Sequence, residues 1–190
     1  MTTPGSLAGE RIGPWLLVAL VGSGGRAEVY RAHRIDGGFQ QWAAIKILHP
    51  GVPLSEAENE REQLLELQDC DAAPRVLPSP GPTVRGRGYV VMEYIEGIPA
   101  DRYADEQGLT AEQRLDLFIQ ICHALAEVHR RGVLHLDLQP RNVLVEQRTG
   151  KVKLVDFGQA LMNSADPLIA ESAGPLTLDY CSPEQVSEGP

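Results

Sequence analysis

The apolar residues are mostly β-patterned in the first half of the chain and take a long helical period at 111–131, and that order limits the folds open to it. Residues 15–21 (WLLVALV), 28–35 (EVYRAHRI) and 41–48 (QWAAIKIL) are β-rich runs. The last two are separated by a turn holding Asp36, Gly37 and Gly38, which is a hairpin signal. YVVMEYI (89–95) reads by composition as a buried strand, after a turn-rich stretch at 78–88. From 111 to 131 the pattern turns helical. Leu115, Phe118, Ile119, Cys122 and Leu125 form an apolar stripe, Thr110 and Gln113 form a capping box, and Gly132 ends the helix. A shorter helix is predicted over 56–68, with Ser55 and Glu58 as its capping box and Glu60, Leu64 and Leu67 on one face. NVLVE and KVKLV, on either side of Arg148, Thr149 and Gly150, predict a small hairpin. Gly97 and Pro99 mark a linker. The chain is thus predicted to be α+β, with a mostly β first part, a hinge near 94–100 and a helix-led second part. Its 190 residues suffice for one domain or two small lobes.

Bulk properties narrow the partners. A net charge of −9 argues against nucleic acid or an anionic membrane surface. Cys70, Cys122 and Cys181 lie far apart with no CxxC, which points to reduced thiols in a cytoplasmic protein. MTTPGSLAGER has no apolar core of signal-peptide length, and the longest apolar run, WLLVALVG, is too short to span a bilayer.

Several short stretches carry possible chemistry, and each has an ordinary alternative. GSGGRAEV (22–29) has glycines that let a turn bring backbone N–H groups close to phosphate, although glycine-rich hairpin turns are common. Lys46 is one of only three lysines and lies within AAIKIL, so it either reaches out to solvent or finds an anion. Glu60 is a candidate partner, tipped inward by the face it shares with Leu64 and Leu67. In HLDLQPRNVLVE (135–146), Asp137 can accept a proton and the Asn142 oxygen can hold a metal; both also serve in turns, and His135 can equally be a packed core residue. DFG (156–158) sets an aspartate and a glycine directly after an apolar run.

Taken in order, the glycine loop, Lys46, Glu60, HxDLxPxN, DFG and SPE (182–184) resemble the protein kinase family, particularly bacterial serine/threonine kinases of eukaryotic type. The resemblance runs from about Glu10 to the chain's end. It implies a protein-kinase-like bilobal fold: a flexible tail over 1–9, a β-rich N-lobe with one helix over 10–96, and a partial helical C-lobe over 97–190. It also implies an enzyme that moves the γ-phosphate of ATP, with Mg2+, to a Ser/Thr hydroxyl on a protein substrate. Gly22, Ser23, Gly24 and the backbone as far as Val29 would cover the ATP phosphates. Lys46, paired to Glu60, would hold the α- and β-phosphates, and Asp137 would orient the acceptor hydroxyl and take its proton. Asn142 and Asp156 would bind the metal. Met92 would back the adenine pocket, Glu93 and Ile95 would offer it backbone groups, and Val29, Ala44 and Leu144 would sandwich the ring. TLDY (177–180) resembles the substrate-binding stretch, where Thr177 favours a Ser/Thr acceptor.

The sequence departs from the family's pattern in three places. Ala27 replaces the third glycine, Leu136 replaces the arginine of HRD, and Gln139 replaces the lysine that contacts the transferred phosphate. The last two remove positive charge from the catalytic stretch, although an amide at 139 can still donate hydrogen bonds. The resemblance also implies further helices covering the stripe of 111–131, from additional sequence or from a partner chain, and the arginine that would pair with Glu184 is not within these residues. Two other functions fit the same departures: a nucleotide-binding pseudokinase or interaction module, and a small-molecule phosphotransferase.

Overall fold

The computed structural model describes residues 7–37, 40–162 and Tyr180. The chain divides into two compact units, Met1–Leu65 with Arg75–Tyr94, and Glu66–Pro74 with Ile95–Pro190.

The first unit is a six-stranded antiparallel sheet of β1 (Arg11–Ile12), β2 (Trp15–Ser23), β3 (Ala27–Arg34), β4 (Trp42–Leu48), β5 (Thr83–Val84) and β6 (Arg87–Glu93), in the order β1-β2-β3-β4-β6-β5. Alternation along these strands separates two faces. One face is the core: Trp15, Leu17, Tyr30, Ala32, Ala43, Ile45, Ile47, Tyr89 and Val91 pack together there almost without exposure. Residues between them project to the other face. The β2 and β3 register breaks between Leu17 and Ala19 and again between Leu20 and Gly22, so β2 bends before the glycine turn.

Helix α1 (Leu54–Glu66) buries Ala57, Glu60, Gln63 and Leu64. It lies directly on the sheet: a Cβ on Gly88 of β6 would come within 2.9 Å of the Ala57 Cβ and 3.1 Å of Leu48. The helix starts at Leu54, so Ser55 lies inside the first turn and is not the N-cap that its spacing from Glu58 suggests. Of the residues 1–9 predicted as a flexible tail, 7–9 are described. Leu7 is 5% exposed within the core, and the Gly9 N–H donates to the Leu17 carbonyl at 2.8 Å.

The second unit contains β7 (Gly97–Pro99), α2 (Ala100–Glu106), α3 (Ala111–Arg130), β8 (Val133–Leu134), a 3-10 turn (Pro140–Asn142), β9 (Val143–Glu146), β10 (Val152–Leu154) and β11 (Leu161–Met162). The predicted hairpin forms as β9 and β10, and β7 extends it into a sheet of order β10-β9-β7. The capping box on α3 is made: Gln113 N–H donates to Thr110 Oγ1, and Thr110 N–H donates to Gln113 Oε1. Leu117, Ala124 and Val128 form the buried side of α3, whereas Leu115, Phe118 and Ile119 of the predicted stripe are 58%, 60% and 44% exposed.

The division differs from a single cut near residue 96, because residues 66–74 belong with the second unit. Leu154 N–H donates to the Ala72 carbonyl, Lys151 pairs with Asp71 at 3.1 Å, and Arg131 donates to the Asp69 carbonyl. The buried Cys70 sits in this segment, and burial pushes its thiol up, away from thiolate chemistry at neutral pH. Among the described residues, no helix is long and apolar enough to cross a membrane.

Candidate active site

In the first unit, register decides which side chains share a face. Val29 pairs with Lys46, and Ala44 pairs with Met92. Directly opposed residues of an antiparallel pair project to the same side. Val29, Ala44, Lys46 and Met92 therefore share the face opposite the apolar core. The turn before Val29 is closed by Gly24 N–H donating to the Ala27 carbonyl at 2.9 Å. Ala27 is the first residue of β3, buried and paired with Leu48, so this position takes an alanine without strain. Gly22 and Ser23 oppose Val29 and Glu28 across the same turn.

Lys46 finds its anion. Its Nζ lies 2.9 Å from Glu60 Oε1 and 2.7 Å from Oε2, with side chains 12% and 2% exposed. The face shared by Glu60, Leu64 and Leu67 is buried as the periodicity predicts. Such a pair holds an ammonium in place on an apolar strand, where it can meet a phosphate without first being ordered. The Glu93 N–H is taken by the Arg75 carbonyl at 2.8 Å, so Glu93 has only its carbonyl to offer a base.

Within the second unit, Asp137, Gln139 and Asn142 come together. Gln139 Nε2 lies 2.8 Å from both Asp137 carboxylate oxygens, and Asn142 Nδ2 lies 2.9 Å from Oδ2 and 2.9 Å from the Asp137 carbonyl. His135 is a core residue, 1% exposed, with Nε2 donating to the Val155 carbonyl at 3.0 Å and its ring 4.7 Å from that of Phe157. Since a carbonyl only accepts, Nε2 carries the proton, and Nδ1 is the acceptor facing the Asp137 N–H at 3.4 Å. Val155 N–H donates to the Asn142 carbonyl, which ties the segment leading to Asp156 to this loop. Leu136 and Asp156 both have left-handed backbone, with φ of 59° and 66°. Leu144, on β9, opposes Pro99 and Lys153, and the Ile95 carbonyl accepts from Gly97 N–H.

The donor chemistry at Asn142 and Asp156 suits magnesium. The Asn142 amide nitrogen is committed to Asp137, which directs its other atom, a carbonyl oxygen, to any cation. Magnesium is held by one or two protein oxygens together with phosphate and water, not by a dedicated cage.

Two clusters escaped the sequence. Glu28, 4% exposed, accepts from the Tyr30 hydroxyl at 2.9 Å and faces Arg87 at 3.6 Å, and Arg87 also donates to the Leu48 carbonyl. Arg31 lies over Trp42 at 3.8 Å and over Tyr94 at 5.1 Å. Strand alternation would have placed Arg31 on the Val29 face, but nothing in the sequence marks its aromatic partners. Thr177 and the SPE stretch lie outside the described residues.

The family model for the protein kinase domain matches residues 15–190. Serine/threonine-protein kinase Pkn1 of Myxococcus xanthus is 30% identical over 94% of this chain and 26% of its own length. PrkC of Bacillus subtilis is 30% identical over 96% of the chain and 28% of its own length. The DNA damage-responsive kinase RqkA of Deinococcus radiodurans is 33% identical over 98% and 28%. The chain spans about a quarter of the length of these curated relatives.

Proposed function

The chain belongs to the protein kinase family, and on that premise we propose that it transfers the γ-phosphate of ATP to a serine or threonine hydroxyl of a protein substrate. The observation that carries the reading is Lys46, held against the buried Glu60 on the face it shares with Val29, Ala44 and Met92. In this reading Lys46 holds the nucleotide's phosphates. Gly22, Ser23 and Gly24 cover them with backbone donors, and Val29, Ala44, Met92, Glu93, Ile95 and Leu144 receive the base. Asp137 aims the acceptor hydroxyl and takes its proton as the new P–O bond forms and ADP departs. Asn142 and Asp156 hold Mg2+, which when bound offsets phosphate charge. A cytoplasmic protein substrate is part of the same proposal.

The test separates binding from transfer. ATP with Mg2+ raises the melting temperature by linkage, and Asp156→Ala removes the magnesium-dependent part. Labelled γ-phosphate appears on Ser/Thr peptides and is lost with Asp137→Asn. A folded sample with no shift at millimolar ATP ends the kinase reading. A shift without transfer leaves a nucleotide-binding module, and transfer confined to small molecules reassigns the substrate.

A further inference from the structure

Gln139 stands where the family places a lysine, and its surroundings show what the replacement does. The residue is 5% exposed, and its side-chain nitrogen is 2.8 Å from each oxygen of Asp137. A carboxylate only accepts, so the atom facing it is the NH2 and not the amide oxygen. Asn142 Nδ2 reaches Asp137 Oδ2, and the Asn142 backbone N–H donates to the Gln139 carbonyl at 2.9 Å. The three residues therefore form a closed ring of hydrogen bonds. Its base is rigid: Gln139 has extended backbone and precedes Pro140, which opens the 3-10 turn.

We propose that Gln139 is a positioning residue for Asp137, a neutral clamp on the carboxylate, and does not substitute for the lysine at the transferred phosphate. The inference rests on the phosphotransfer reading and deepens it. A lysine offers three donors and a full charge, enough to serve a carboxylate and a phosphate together. The neutral Gln139 nitrogen shares an N–H between both oxygens of one carboxylate and has no full charge to offer a phosphate. Turning it toward a phosphate would break the charge-assisted contact of a nitrogen on a buried side chain, which is costly. The clamp fixes the direction of the Asp137 oxygens without placing a positive charge beside the base. Gln139 itself neither gains nor loses a proton when Asp137 accepts one from the hydroxyl.

Two measurements test this in the whole protein. In 15N NMR, the Gln139 side-chain NH2 signal, assigned by its loss in Gln139→Met, is protected from exchange. Its protection falls in Asp137→Asn, which keeps one acceptor oxygen, and is lost in Asp137→Ala, which removes both. If it is unchanged in both Asp137→Asn and Asp137→Ala, the clamp is overturned, whether or not the protein turns over ATP. In steady-state assays with a peptide acceptor, Gln139→Met lowers kcat on the order of ten- to a hundredfold, the worth of a hydrogen bond to a charged group. KM for ATP stays within about twofold, because the lost contact is not to nucleotide. Gln139→Lys, which restores a donor, recovers the turnover that Gln139→Met loses. An undiminished kcat in Gln139→Met, or a KM for ATP that rises as kcat falls, refutes the proposal. A parent protein with no turnover refutes the phosphotransfer reading instead, and the NMR result then decides the clamp alone.

Discussion

Lys46→Met should destabilise the ligand-free protein more than its partner substitution does. The carboxylate of Glu60 is 2% exposed and meets Lys46 Nζ at 2.7 Å. Methionine keeps most of the stem's packing but takes away the cation that faces this carboxylate. Removing one partner of a buried ion pair costs about 3–5 kcal/mol. That is a large fraction of an ordinary domain's stability. Glu60→Gln is milder. Lys46 is 12% exposed on a flexible stem that can carry its charge toward water, and the amide oxygen still accepts. Its cost is about 1–2 kcal/mol. The double substitution Lys46→Met/Glu60→Leu removes both charges and should recover much of the single variant's loss. Urea unfolding followed by circular dichroism, without nucleotide, measures all three.

The pH dependence has a definite sign. In Lys46→Met the buried carboxylate is easier to keep protonated in the folded state than in the unfolded chain. Folding then takes up a proton, so the deficit shrinks as pH falls toward the ordinary carboxylate range and grows above it. If Lys46→Met unfolds within about 1 kcal/mol of the parent, or the double variant is no better than the single, the pair is not closed to solvent. The argument from its burial would then fail.

Gly97→Ala should lower the melting temperature, because its Cβ would lie 2.7 Å from the Val145 carbonyl oxygen across β7 and β9. The cost is about 1–3 kcal/mol, read by thermal unfolding, and an unchanged Tm would refute the close approach. Burial, followed by the hydrogen bond to Glu28, holds the Tyr30 phenol above its ordinary range. The folded state thus favours the neutral phenol, whose contribution is present at neutral pH and lost as pH climbs past the usual tyrosine value of about 10. Tyr30→Phe should accordingly show a shallower loss of stability over that alkaline window in pH-dependent urea titrations. Leu115→Ser with Phe118→Ser should reduce binding of a hydrophobic dye while leaving the unfolding midpoint nearly unchanged, since both side chains are more than half exposed.

What could be read from the sequence followed a clear physical line. Long periodic segments were legible: α3 with its capping box, β3 and β4, the β9–β10 pair, and the inward tilt of Glu60 all follow from alternation or helical spacing. Elements of two or three residues were not. β7 exists because its backbone pairs with β9, and a run as short as Gly97–Pro99 has no period to detect. Helix α2 was missed because it begins directly after Pro99 in what reads as a linker. The placement of Gly9 and of residues 66–74 was hidden for a related reason, since Gly9 and Ala72 are fixed by distant backbone partners at Leu17 and Leu154. At the candidate site, residue identity located Lys46, Asp137 and Asn142, but not the partner of Gln139. Spacing places a glutamine near a phosphate or near a carboxylate equally well, and only the distances of 2.8 Å distinguish them.

The loop around Asp137 is held by hydrogen bonds that use no positive charge at 136 or 139. Leu136 is a non-glycine residue at φ 59°, a backbone state that persists only where its surroundings impose it. The imposition comes from both flanks. On one side the Asp137 N–H donates to the His135 carbonyl at 2.9 Å, closing a tight turn over Leu136. On the other, Asn142 grips Asp137 through backbone and side chain together. Val155 locks the two ends, because its N–H goes to the Asn142 carbonyl and its carbonyl receives the His135 ring. These contacts are made by backbone groups, an imidazole, an amide and the Asp137 carboxylate itself, and none requires a cation at 136 or 139. Charge and architecture are therefore separable in this loop. The contacts that hold Asp137 through Asn142 and His135 draw on neither the Leu136 side chain nor a cation at 139.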